Sequence, residues 1–152
     1  MADFEVARSR TIAAPPERIH GLIDDFHQWR SWSPWEDVDP DLQRDYSGAQ
    51  SGEGARYAWE GNRKAGKGNM EIVDSKPDHV EVRLTFEKPW KATNRVVFQL
   101  APEAQGTEVT WRMYGEHKGV MKVLSKVMSM DRMVGKDFEK GLDRLKRQAE
   151  SG

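Results

Sequence analysis

The sequence predicts an α+β fold, in which a strongly bent antiparallel sheet of about seven strands is covered by one long C-terminal helix. Three observations carry this prediction. From residue 42 to residue 115, short runs of alternating polarity are separated by turns rich in glycine and proline, the pattern of an antiparallel meander. Beyond that stretch the period changes. Val120, Leu124, Val127, Val134, Phe138 and Leu145 recur three, four or seven residues apart, as on the buried face of an amphipathic helix. That helix is the only element long enough to cover the apolar face of the sheet.

Taken in order, Phe4, Val6, Arg8, Arg10 and Ile12 share one parity and predict a first strand ending at Ala13-Ala14. The two arginines on this apolar parity imply a face that is only partly buried, or side chains that pack their stems and reach past the core. Pro15-Pro16-Glu17 opens a helix, since proline is tolerated in a first turn and an acid there faces the positive end of the dipole. Ile19, Leu22, Ile23 and Phe26 give that helix one apolar face, and Pro34 should stop helical structure before Trp35. Strands follow at Leu42 to Tyr46, Ala55 to Trp59, Met70 to Val73, Val80 to Phe86, Val96 to Leu100 and Thr107 to Gly115, with short turns between them. Tyr57 and Trp59 fall on one face, and Val109, Trp111 and Met113 alternate against Thr110, Arg112 and Tyr114. In the terminal helix, Gly135 and Gly141 each cost roughly 1 kcal/mol relative to alanine. Asp131 interrupts the apolar stripe, so an irregularity or restart capped by Asp131 is expected near Met130.

The chain of 152 residues, with neither repeat nor linker, is expected to form one domain over 1–152. Lys plus Arg number 24 against 25 Asp plus Glu, which argues against a broadly basic nucleic-acid-binding surface. There is no cysteine, hence no disulfide framework and no thiolate metal site. The N-terminus has neither the basic region nor the apolar run of a signal peptide, and no apolar run approaches the length of a membrane span. A soluble, cytoplasmic protein is the expectation.

Trp29-Arg30-Ser31-Trp32-Ser33-Pro34-Trp35 places three of the six tryptophans within seven residues. Such a run suits neither a helix face nor a strand. It forms either a satellite core or the aromatic mouth of an apolar cavity, since large aromatics can prop sheet and helix apart. Several motifs accompany it: Ile12…Ala14-Pro15-Pro16-Glu17, Trp32-Ser33-Pro34-Trp35, Tyr46-Ser47-Gly48, Gly52-Glu53-Gly54 and Trp59-Glu60-Gly61-Asn62…Gly66-Lys67-Gly68. Gly106-Thr107-Glu108-Val109-Thr110-Trp111 and Gly135-Lys136-Asp137-Phe138-Glu139-Lys140-Gly141-Leu142 complete the set. In this order, over nearly the whole chain, they resemble the START-like (SRPBCC) superfamily and specifically its bacterial polyketide cyclase/dehydrase-like branch.

The resemblance implies the helix-grip (START/Bet v 1-like) fold, with two short helices after strand 1 and a deep pocket for hydrophobic small molecules between sheet and terminal helix. It implies no single activity, so function has to be argued from the site. Parity and helical position select Trp32, Trp35, Tyr57, Trp59, Met70, Phe86, Phe98, Trp111, Met113, Met121, Met128 and Phe138 as the cavity lining, and this composition suits a small-molecule pocket. Met121, Met128, Met130 and Met133 could repack around ligands of differing shape.

Acid–base chemistry is less well supported. His20, His27, His79 and His117 are scattered, read as surface histidines, and show no metal-ligand spacing. No nucleophile-elbow or phosphate-loop motif occurs. Tyr46, Glu60, Arg95, Arg112 and Tyr114 are the polar groups that could orient a ligand, but Glu60, Arg112 and Tyr114 should face outward by parity. The mixed charges Lys136, Asp137, Glu139, Lys140, Asp143, Arg144, Lys146 and Arg147 fit a solvated helix face.

The leading expectation is binding of a hydrophobic small molecule (lipid, polyketide or aromatic metabolite), without a cofactor or metal. One alternative is a cyclase or dehydratase with a polar pair deep in that pocket. The other is a chaperone-associated interaction module with an exterior patch of Trp29, Trp32, Trp35 and Trp90.

Overall fold

The computed structural model describes residues 3–37, 39–62, 65–88, 91–116 and 124–151, with side chains given outside 3–4, 36–37, 116 and 124–133. Strand β1 (Asp3–Ile12) leads into helix α1 (Pro16–Ile23), followed by two single 3-10 turns at Gln28–Ser31 and Pro34–Asp37. Six strands come next: β2 (Gln43–Gly48), β3 (Ala55–Glu60), β4 (Lys67–Lys76), β5 (His79–Lys88), β6 (Ala92–Glu103) and β7 (Gly106–Glu116). Helix α2 (Leu124–Ser151) closes the chain. All strand pairs are antiparallel, in the order β1-β7-β6-β5-β4-β3-β2. The predicted open, curved sheet with a long C-terminal helix is therefore present.

Alternation along the strands sets the two faces of the sheet. Val80, Val82, Val96, Phe98, Leu100, Val109, Trp111 and Met113 are buried on the concave side, with Phe138, Leu142 and Leu145 of α2 facing them. The convex side carries cross-strand ion pairs such as Arg83–Glu71 and Arg95–Glu81.

Arg8 and Arg10, unexpected on an apolar parity, reach across to α2. Their Nε groups lie 2.9 Å from Glu139 and 2.9 Å from Asp143. The helix charges are thus not simply a solvated face, because two of them fix the register of α2 over β1. The far end of α2 is held as well: Arg18 of α1 donates to the carbonyls of Ala149 and Gln148, which a helix C-terminus leaves unsatisfied.

Two expectations need correction. The first helix does not run towards Trp35. It stops at Ile23, and the short helical structure that follows it after β1 consists of two 3-10 turns. Helix α2 continues through Met130 and Asp131 without the expected restart. Its glycines are explained by close approach: a Cβ on Gly141 would stand 2.7 Å from Cζ3 of Trp111 and 2.9 Å from Cδ of Pro34.

Candidate functional site: an aromatic cavity between sheet and helix

The tryptophan-rich segment follows from the early end of α1. A helix that stops at Ile23 leaves its last carbonyls without intrahelical donors. The indole N–H of Trp32 donates to Leu22 O at 2.8 Å, and that of Trp29 to Ile23 O at 2.6 Å. Two of the three clustered tryptophans therefore cap the helix while burying their rings. Trp32 is fully buried, with its ring edge-on to Phe98 at 5.9 Å and to Trp111 at 5.5 Å. Trp111 in turn lies between Phe98 and Phe138, stacked on the latter at 4.1 Å with an 8° interplanar angle. Trp35 is the exposed member, 37% accessible, and presents its edge to Trp111 and Phe138.

Beside this aromatic stack lies a cavity of about 280 Å³ between the concave face of the sheet and α2. Of the residues selected from sequence, Trp35, Tyr57, Trp59, Met70, Phe86, Trp111, Met113 and Phe138 line it. Trp32 and Phe98 do not. Both are fully buried in the layer behind Trp111, so they support the wall without forming its surface. Met121 and the side chain of Met128 lie outside the described residues.

Sequence parity missed Trp29, Leu42, Ala65, Leu84 and Val96. Leu84 and Val96 share the concave parity of lining residues named from sequence, whereas Ala65 comes from a turn that no periodicity marks. Val134 of α2 was seen as part of the helix stripe but not as lining, and Ser33 and Asp137 are the polar members of the wall.

The register explains how the wall is built. Tyr57 pairs with Met70 and Met70 with Leu84, while Trp59 pairs with Gly68 and Gly68 with Phe86. Adjacent strands therefore place one residue each on the same concave row. A side chain at Gly68 is excluded, because its Cβ would lie 2.6 Å from Cη2 of Trp59. The Trp59 indole N–H donates to Ala65 O at 2.8 Å, tying the turn between β3 and β4 to the cavity wall. The indole N–H of Trp111 is buried and finds no hydrogen-bond acceptor among the described residues.

The remaining polar candidates lie elsewhere. Arg112 pairs with Glu5 and Gln99. Arg95 pairs with Glu81 and sits 5.2 Å over the Tyr114 ring. None of Arg95, Arg112, Tyr114, Tyr46 and Glu60 lines the cavity. Among the described residues no three His, Asp or Glu side chains converge as a metal site.

His79 stands 3.7 Å from both Asp74 and Glu81, and exposed His27 stacks on Tyr46 with ring centroids 4.2 Å apart. His117 is outside the described residues. His20 is not a surface histidine. It is half-buried, with Nε2 3.1 Å from Ser75 Oγ and Nδ1 3.6 Å from Asp24. Burial pushes the Asp24 carboxyl above its ordinary value of 3.8, partly opposed by His20 and reinforced by Asp25. No described helix is long and apolar enough to cross a membrane.

The comparisons with known proteins agree with this geometry. The family described as polyketide cyclase / dehydrase and lipid transport matches residues 3–150. Among solved structures, a protein of Chromobacterium violaceum superposes with a TM-score of 0.68 at 14% identity, covering 97% of this chain and 98% of that one. The Aha1 dimer from Colwellia psychrerythraea gives 0.67 at 19% identity, covering 99% and 97%. DynU16, a protein of the dynemicin biosynthetic locus, gives 0.67 at 16% identity, and the match covers 99% of this chain but 49% of that one. No curated protein matches the sequence. With its seven-stranded curved sheet, its gripping C-terminal helix and a match over nearly its whole length, the chain belongs to the polyketide cyclase/dehydrase and lipid-transport family of SRPBCC, START-like proteins.

Proposed function

We propose that the protein binds a hydrophobic small molecule (a lipid, a polyketide or an aromatic metabolite) in the cavity between the sheet and α2. The observation that carries this reading is the cavity itself. About 280 Å³ of space is walled by aromatic and aliphatic side chains, with Ser33 and Asp137 as its polar members. Small-molecule pockets have this composition, and the volume lies just below the ~300 Å³ at which drug-sized pockets begin. A two-ring scaffold or a short acyl chain is the size that fits. Lipid transport in the family's description supports the same reading.

Native mass spectrometry of protein purified gently from its own host tests the proposal. A discrete apolar adduct, released on denaturation, is the expected result. A uniformly ligand-free mass under conditions that preserve the fold counts against it.

Cyclase or dehydratase chemistry is the second reading, favoured by the family description and by the likeness to a protein of a biosynthetic locus. It needs a polar pair inside the cavity, and none of the arginine and tyrosine candidates named from sequence lines it. The interaction-module reading loses half of its proposed patch, since Trp29 and Trp32 are 4% and 0% exposed. Trp35 is the exposed member, and Trp90 is outside the described residues.

A further inference from the structure

Asp137 is the one formally charged side chain among the described residues that line the cavity. It lies on α2 next to Phe138, whose ring centroid is 6.1 Å from that of Trp35 at the exposed side of the aromatic stack. The carboxylate is half-buried, and no described cation comes within ion-pair distance of it. This sets it apart from Glu139 and Asp143 on the same helix, which are engaged by Arg8 and Arg10. An anion beside apolar surface loses hydration and gains nothing in return unless a donor or a cation faces it. The surrounding wall is aromatic, with Trp35, Trp59, Trp111, Tyr57 and Phe86 on the same cavity. The electron-rich faces of such rings attract cations and repel anions.

We propose that the cavity selects apolar molecules that carry a protonated amine, with the ammonium group held by Asp137 and the aromatic wall while the hydrocarbon body fills the interior. This inference rests on the ligand-binding reading above and adds the charge of the ligand to it. Asp137 accepts the hydrogen bonds of the ammonium group, and the two opposite charges compensate each other's lost hydration. A carboxylate ligand of the same shape would bring a second anion to the same place.

The test compares three probes that share one two-ring body: naphthylethylamine, naphthylethanol and naphthylacetate. Binding is read by calorimetry at neutral pH, for the native protein and for Asp137→Asn and Asp137→Glu. The amine is expected to bind about tenfold more tightly than the alcohol, equal to ~1.4 kcal/mol, and the acetate more weakly than either. Asp137→Asn should abolish the amine's advantage over the alcohol, whereas Asp137→Glu should keep it. Urea unfolding, together with retained saturable binding of the alcohol, establishes that each variant is folded with its cavity open.

If the amine binds no better than the alcohol, or its advantage survives in Asp137→Asn, the amine proposal is overturned and the cavity reading stands. If none of the three probes binds, the cavity reading fails and takes this proposal with it.

Discussion

At the scale of single residues, the tryptophans differ in what their indole nitrogens do. Trp32 and Trp111 are both buried and share an edge-to-face contact, yet Trp32 donates to Leu22 O while Trp111 has no acceptor among the described residues. Replacing Trp32 by phenylalanine strands a buried carbonyl, and replacing Trp111 does not. Trp32→Phe should therefore lower stability more than Trp111→Phe, by about 1 kcal/mol or more, in urea unfolding. Equal losses would mean that the Leu22 bond is unimportant.

Asp24 gives a pH prediction. Burial raises its carboxyl above the ordinary 3.8, so the folded state holds that proton more tightly than the unfolded chain does. Stability from this group is greatest below about 3.8 and is lost as pH rises through the elevated folded value. In Asp24→Asn, a urea midpoint series just above pH 3.8 should lose that downward component. A native-like decline in the variant would assign it to other groups. The aromatic cluster itself was legible in the sequence, but its role as a helix cap was not. That role depends on where α1 stops, and no residue between Ile23 and Trp29 announces the stop.

At the scale of elements, strands and the terminal helix followed from periodicity, because each has one buried face. The parity rule failed for Arg8 and Arg10, since their inward position is satisfied by Glu139 and Asp143 more than a hundred residues away. It also overread Phe98, as the tryptophan cluster did Trp32, which lies between the two 3-10 turns. Concave parity marks burial, and only the packing depth set by Trp111 and Phe138 separates wall from support.

The glycines of α2 sharpen the same point. In an open helix, glycine to alanine gains up to ~1 kcal/mol. At Gly141 the new methyl would meet the Trp111 ring and Pro34 at 2.7 and 2.9 Å, so Gly141→Ala should cost about 1–3 kcal/mol by overpacking. At Gly135 the obstacle is the far end of the flexible Arg8 side chain, and Gly135→Ala should stay within about 1 kcal/mol of the native protein. Thermal unfolding of the two variants checks the ranking. A stabilised Gly141→Ala would show that α2 does not approach β7 this closely.

At the scale of the whole molecule, β1 joins β7 and leaves β2 as the opposite edge, so the sheet stays open and curls around α2. The helix is pinned at its C-terminal end by Arg18 and along β1 by two ion pairs. The aromatic stack then holds sheet and helix apart over the cavity. The most direct test of this arrangement is a calorimetric titration with a neutral two-ring probe such as naphthylethanol, using the native protein and a cavity-filling variant, Leu84→Trp. Urea unfolding should first establish that the variant is folded. The account predicts saturable one-to-one binding to the native protein and loss of that binding in Leu84→Trp. Binding that is absent from the native protein, or equally strong in the filled variant, would contradict it.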